Sequence, residues 1–227
     1  ASPAPASEPK TSLPLFPEPP GPLICDPADI FDAAAIKGEL ADLAASTSDA
    51  TELRAGTVRI LRAAKDRGRA AIEAGFEKTP FAARPLTRSY TYLTDGLVIS
   101  ALEMATTYLH PLPNPTQGER IAVIAVGGYG RGEMAPFSDV DLLFVTPYKI
   151  TAWAESVIES MLYVLWDLKL KVGHASRTIK DCIRLGGEDF TIRTALLEHR
   201  YLAGYEPLAE ELDKRLKSDL FSDSGRD

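Results

Sequence analysis

The residues between Ile121 and Val145 leave this chain few folds. Ile121-Ala122-Val123-Ile124-Ala125-Val126 is a short apolar run, rich in branched side chains and closed by Gly127-Gly128. A buried strand fits that run better than a helix, which needs a longer span and a repeat of three to four residues. Residues 129–138 form a connection, and a second strand runs from Asp139 to Val145 before Pro147. Side chains alternate between the faces of a strand, so Asp139 and Asp141 point the same way, about 6.5–7 Å apart, while Val140 and Leu142 point into a core.

The rest of the chain reads as helices around this unit. Residues 1–27 hold nine of the 17 prolines, a density that helices and central strands exclude. This segment is expected to be an extended tail, with a docking motif as the functional alternative. Residues 28–115 read as an N-terminal helical segment. Asp29 is a candidate cap for a helix carrying Ile30, Phe31, Ala34 and Leu40. A second helix spans about 51–77, with Arg62, Lys65, Arg67 and Arg69 on a solvated basic face, and a third spans about 86–109. The core is placed at 116–204, with a helix over 151–168 and a third strand from Leu170 to Ser176. Two or three further helices are expected over 178–222. Residues 205–227 are the C-terminal helical segment, fraying after 222. The expected class is α/β (α+β), a small mixed sheet flanked by helices.

Composition narrows the function. The formal charge of −7, from 25 basic and 32 acidic residues, argues against binding nucleic acid through phosphate neutralisation. Two cysteines, Cys25 and Cys182, make neither a disulfide framework nor a zinc site and suit a reducing cytoplasm. No apolar run is long enough to span a membrane.

The chemistry lies in Gly127-Gly128-Tyr129-Gly130-Arg131-Gly132-Glu133-Met134 and in Ser138-Asp139-Val140-Asp141. Two adjacent carboxylates repel, and a divalent cation between them relieves the repulsion. Oxygen-only ligands suit Mg²⁺ or Mn²⁺ rather than zinc. Glycines ending the preceding strand let backbone N–H groups approach a phosphate, and Arg131 offers a charged fork. Together these describe a metal-assisted nucleotidyl-transfer site, with Asp139 and Asp141 catalytic and metal-binding, and Gly127, Gly128, Arg131 and Ser138 nucleotide-binding. A dinucleotide-binding loop is excluded because Glu133 occupies its third glycine position and a strand follows. A P-loop lacks its Gly-Lys-Ser/Thr, and Leu142-Leu143-Phe144 excludes an EF-hand. A glycosyltransferase Asp-x-Asp and a solvent-facing acid pair are the other readings.

At these residues the sequence resembles the nucleotidyltransferase superfamily that includes DNA polymerase beta. More narrowly, the 127–134 stretch with Pro136, Ser138 and Asp139-Val140-Asp141-Leu142-Leu143 resembles the bacterial PII uridylyltransferase/uridylyl-removing enzymes. So do Leu165-Trp166-Asp167, Lys171 to Thr178 and Thr194 to Glu198. The likeness covers residues 28–222, and the proline-rich start lies outside it.

The resemblance implies transfer of UMP from UTP to a tyrosine of the PII signalling protein, with release of pyrophosphate. Family members also carry a phosphohydrolase domain of the HD type and two ACT domains. Neither is present in this sequence, which reads as the N-terminal portion of a longer protein. Many superfamily members place a third carboxylate on a later strand. Here that strand has Gly173 and His174, and Asp167, Asp189 and Glu198 are the substitutes to weigh. Another nucleotidyltransferase, such as an adenylyltransferase, and a nucleotide-binding module without turnover are the competing functions. For the remaining side chains both roles stand: Tyr129 stacks on the base or packs in the loop, and Glu133 supports the site or pairs with Arg131. His110 caps a helix or lies at the surface, while His174 serves the core or contacts substrate. His199 is read as a helix-surface residue and Trp166 as core.

Overall fold

A computed structural model describes residue 19 and residues 21–221. Most of the proline-rich segment, and the terminal residues expected to fray, lie outside the described residues. Residues 23–25 pack as a bent lead-in: the Ile24 N–H donates to Ser89 Oγ at 2.9 Å, and Leu23, Ile24 and Cys25 lie against the core.

Caps divide the first helical stretch differently from the sequence expectation. Asp26 caps α1 (Pro27–Ile30), and Asp32 caps α2 (Ala33–Ser46). Each side chain accepts a backbone N–H that the first helical turn leaves free. Asp29 therefore lies inside α1 rather than at its cap. Asp49 caps α3 (Ala50–Lys78), and α4 (Ala83–Glu103) continues through a π-helical turn, Met104–Leu109.

The sheet has four strands in the order β3-β2-β1-β4: β1 (Ala122–Ala125), β2 (Val140–Thr146), β3 (Val172–Thr178) and β4 (Arg200–Gly204). β1 is antiparallel to β2 and to β4, whereas β2 and β3 are parallel. The crossover between the parallel strands is α6 (Ala152–Asp167), capped by Thr151. The one-turn helix α5 (Gly127–Gly130) links β1 to β2. Beyond β3 come α7 (Ile179–Glu188), α8 (Phe190–Leu197) and α9 (Glu206–Arg215), then a π-helical turn over Leu216–Leu220. The mixed α/β architecture is the expected one. β4 is not: residues 200–204 were expected within helices.

Alternation along the strands sorts the core into two layers. Val123, Val140, Leu142 and Phe144 pack with α1–α4 and α6 on one face. Ile124, Leu143 and Val145 pack with α7, α8 and α9 on the other. Arg62 and Lys65 do more than solvate α3. Arg62 donates to the Asp167 carbonyl at 2.8 Å and Lys65 to the Leu168 carbonyl at 2.6 Å. They cap the end of α6, whose own last turn has no basic residue.

Candidate active site

Asp141 lies on β2 and Asp139 stands just before it, at the end where β1 turns into α5. The Val126 N–H donates to the Asp141 carbonyl at 3.1 Å, which fixes the start of the turn against the acidic strand. Gly127 has φ of 59°, a left-handed conformation that favours glycine. A Cβ there would lie 3.6 Å from Asp141 Oδ2. On β3, Gly173 is in register with Asp141, and a Cβ at Gly173 would collide with Asp141 Oδ1. The carboxylate thus occupies a cradle between two glycines, inside a cavity of about 310 Å³ that also takes in Arg177 and Thr191. Burial pushes the Asp141 carboxyl above its ordinary value, and the negative charge of Asp139 adds to the effect. A site that raises the cost of its own charge is suited to a positive ligand.

The cradle also accounts for the missing third acid. With Asp141 so placed, no side chain can stand opposite it on β3. None of the three substitutes lies on β3. Asp167 ends α6, Asp189 accepts the Thr191 and Ile192 N–H groups as the cap of α8, and Glu198 pairs with Arg131 at 2.5 Å. Among the described residues no group of three or more His, Cys, Asp or Glu side chains is placed to hold a metal ion. The two aspartates stand as a pair.

The turn between the strands is held from behind. Tyr129 is buried, and its hydroxyl donates to Asp95 Oδ1 at 2.7 Å. It packs in the loop and cannot stack on a base. Arg200 binds Asp95 through both terminal nitrogens and donates to the Tyr129 carbonyl at 3.3 Å. Burial pushes the Asp95 carboxyl up, against the pull of Arg200 and of the Tyr129 hydroxyl. Gly130 lies so close to the Glu198 carbonyl that a Cβ would overlap it. Sequence reasoning missed Asp95, Arg200 and Gly130, whose partners are remote in sequence and leave no local signal.

The other site residues divide. Arg131 is exposed and pairs with Glu198, not Glu133; that contact raises its guanidinium further above neutral pH. Ser138 Oγ accepts the Ala135 N–H at 3.0 Å, closing the turn before Asp139 and leaving its own proton to donate. His110 ends the π-helical turn and its ring bonds Ser160 Oγ at 2.8 Å. His199 bonds the Leu196 carbonyl in the turn before β4, not on a helix surface. His174 is exposed on β3, 6.3 Å from the Trp166 ring. Trp166 is 43% exposed, so the core reading of it is wrong. It projects from α6 beside the sheet edge.

A glycine turn between two antiparallel strands, an acid pair opening the second, and a parallel third strand define a nucleotidyltransferase domain. The chain carries one: residues 115–202 match the family model for the nucleotidyltransferase domain. Over most of its length the chain is similar to bifunctional uridylyltransferase/uridylyl-removing enzymes. It is 67% identical to that of Ruegeria pomeroyi over 87% of this chain, and 59% identical to that of Cereibacter sphaeroides over 98%. The Caulobacter vibrioides enzyme is 46% identical over 86% of the chain. The chain spans 22%, 24% and 21% of the lengths of these relatives. Among the described residues, no helix is long and apolar enough to cross a membrane.

Proposed function

We propose that this domain transfers UMP from UTP to a tyrosine hydroxyl of the PII signalling protein and releases pyrophosphate. The observation that carries the reading is the Asp141 carboxylate, cradled by Gly127 and Gly173 with Asp139 beside it. The similarity to uridylyltransferases supports uridylyl transfer, and the resemblance of residues 127–141 and 165–198 to PII uridylyltransferases supports UTP as donor and PII as acceptor. An adenylyltransferase, or a module that binds nucleotide without turnover, is the competing reading. Cytoplasmic action suits the two free thiols, Cys25 and Cys182.

The donor set fits a hard divalent cation, Mg²⁺ or Mn²⁺, held by Asp139 and Asp141. When bound, the cation neutralises charge on the α-phosphate and on the departing pyrophosphate. The residues of the chain supply position. Gly127 and Gly128 admit the triphosphate close to the backbone. Ser138 offers its free proton and Arg131 its guanidinium to phosphate oxygens. Tyr129, anchored to Asp95, keeps the glycine turn from shifting as phosphate arrives. The phenolic oxygen bonds to the α-phosphorus as the bond to the bridging oxygen of pyrophosphate breaks, and the phenolic proton passes to water. A tyrosine titrates near pH 10, so its attack at neutral pH needs a base or a nearby positive charge.

The test is incubation with labelled UTP or ATP, Mg²⁺ and PII. UMP should appear on PII, and Asp139→Asn and Asp141→Asn should each abolish transfer with the fold intact. Transfer at wild-type rate by both variants would remove the site, and AMP in place of UMP would select the adenylyl reading.

A further inference from the structure

We infer that the groove between α6 and β3 is the docking site for the acceptor protein. It would take an extended, basic segment that leads the target tyrosine round the sheet edge to Asp141. The inference rests on the transfer reading above.

The groove has a volume of about 390 Å³, with Ile150, Tyr163, Trp166 and His174 in its lining. Tyr163 is 45% exposed and Trp166 43%, on a helix whose other large side chains are mostly buried. The rings are ordered against one another: Tyr163 meets Trp166 edge-on at 5.8 Å, and Trp166 meets His174 at 6.3 Å. Tyrosine and tryptophan held in this way are the side chains that most often anchor a protein partner, since they bury much area at little entropic cost.

Three observations point to a peptide segment as the occupant. First, among the described residues β3 is the terminal strand of the sheet, and no other strand pairs with its outer edge. Such an edge can receive an extended segment through main-chain hydrogen bonds. Second, the groove adjoins the active site across the sheet edge. His174 lines both the groove and the cavity that contains Asp141. Gly173, its neighbour, is in register with Asp141. Successive residues of a strand face opposite sides, so groove and carboxylates lie on opposite faces of one edge. A bound nucleotide occupies one face, whereas a macromolecule can span both. Third, the lining of the groove is acidic, with one guanidinium at its margin, that of Arg54 over the Tyr163 ring at 5.8 Å. Glu155 and Glu159 line it, and neither has an ion-pair partner among the described residues. An acidic rim repels the triphosphate and favours a basic segment.

The chain has two tryptophans, which makes the test direct. In a Trp153→Phe background of this chain, Trp166 is its remaining tryptophan. Titration with PII in the presence of Mg²⁺ and UTP should change its emission saturably. Trp166→Ala, and separately the Glu155→Gln/Glu159→Gln pair, should weaken PII binding about tenfold, as for an interface anchor. Binding of Mg²⁺-UTP should not change. PII binding that is untouched by both variants, with silent Trp166 emission, overturns the groove and leaves the acceptor intact. A protein that binds Mg²⁺-UTP but not PII overturns the acceptor and the groove together.

Discussion

Arg200 grips Asp95 with both terminal guanidinium nitrogens, at 2.8 and 3.0 Å, across 105 residues of chain. Asp95 is almost fully buried on α4, and Arg200 opens β4. The pair joins the helical layer to the sheet and, through Tyr129, to the glycine turn. Asp95→Ala would leave a half-buried guanidinium and the buried Tyr129 hydroxyl without their carboxylate, at a cost of about 3 kcal/mol, the low end for a buried pair. Urea unfolding should show this as a lower midpoint with an unchanged slope. Replacing both partners with apolar residues should recover part of the loss, because the desolvation cost goes with the charges.

How much of this was visible in the sequence depended on the range of the interaction. β1 and β2 were legible because their burial is written in consecutive residues and closed by Gly127-Gly128. The Asp139–Asp141 pair was legible because strand alternation is local. β4 was not: Arg200-Tyr201-Leu202-Ala203-Gly204 is short, lies at a sheet edge and begins with a charge. Its pairing with β1 and its Asp95 partner are both remote in sequence. Asp95 itself resembles any polar residue of a helix until the fold brings Arg200 to it. Trp166 was misjudged because apolar spacing on α6 cannot reveal which stripe the sheet leaves uncovered.

Gly173 makes a second test. The Cβ of Gly173→Ala would meet the Asp141 carboxylate as it now stands. β3 can keep its backbone, so the carboxylate must turn aside. Misplacing a reacting group by about 1 Å can cost about 100-fold in rate. Transfer by Gly173→Ala should therefore fall by that order, with a melting temperature close to wild type. Gly187→Ala is the contrast: nothing lies within 4 Å of a Cβ in that last turn of α7. It should raise stability by about 0.4–1 kcal/mol with no effect on transfer.

His110 gives stability a pH dependence. Burial pulls its imidazole below the ordinary value of 6.5, and the charge of Arg54 adds to this. The unfolded chain therefore takes up a proton at a higher pH than the folded one. Above about pH 6.5 the ring is neutral in both states and costs nothing. As pH falls through that value the unfolded state is favoured, and the loss is complete below the depressed folded value. His110→Gln keeps a partner for Ser160 without titrating. Its melting temperature should fall less steeply than that of wild type between pH 7 and pH 5.

Arg131 tests whether the nucleotide competes for a group already engaged. Its guanidinium pairs with Glu198 at 2.5 Å at the surface, where a carboxylate partner is only weakly held. If Arg131 turns to the triphosphate, it must first leave Glu198. Glu198→Gln should then lower the KM for UTP about two- to fivefold, the range expected for an exposed pair. Arg131→Ala should raise it, and the double variant should match Arg131→Ala alone, since Glu198 acts on the nucleotide only through Arg131. Steady-state kinetics with PII held saturating would read all three. A rise in KM on Glu198→Gln equal to that of Arg131→Ala would reverse the assignment and make Glu198 the group that holds Arg131 in its working position.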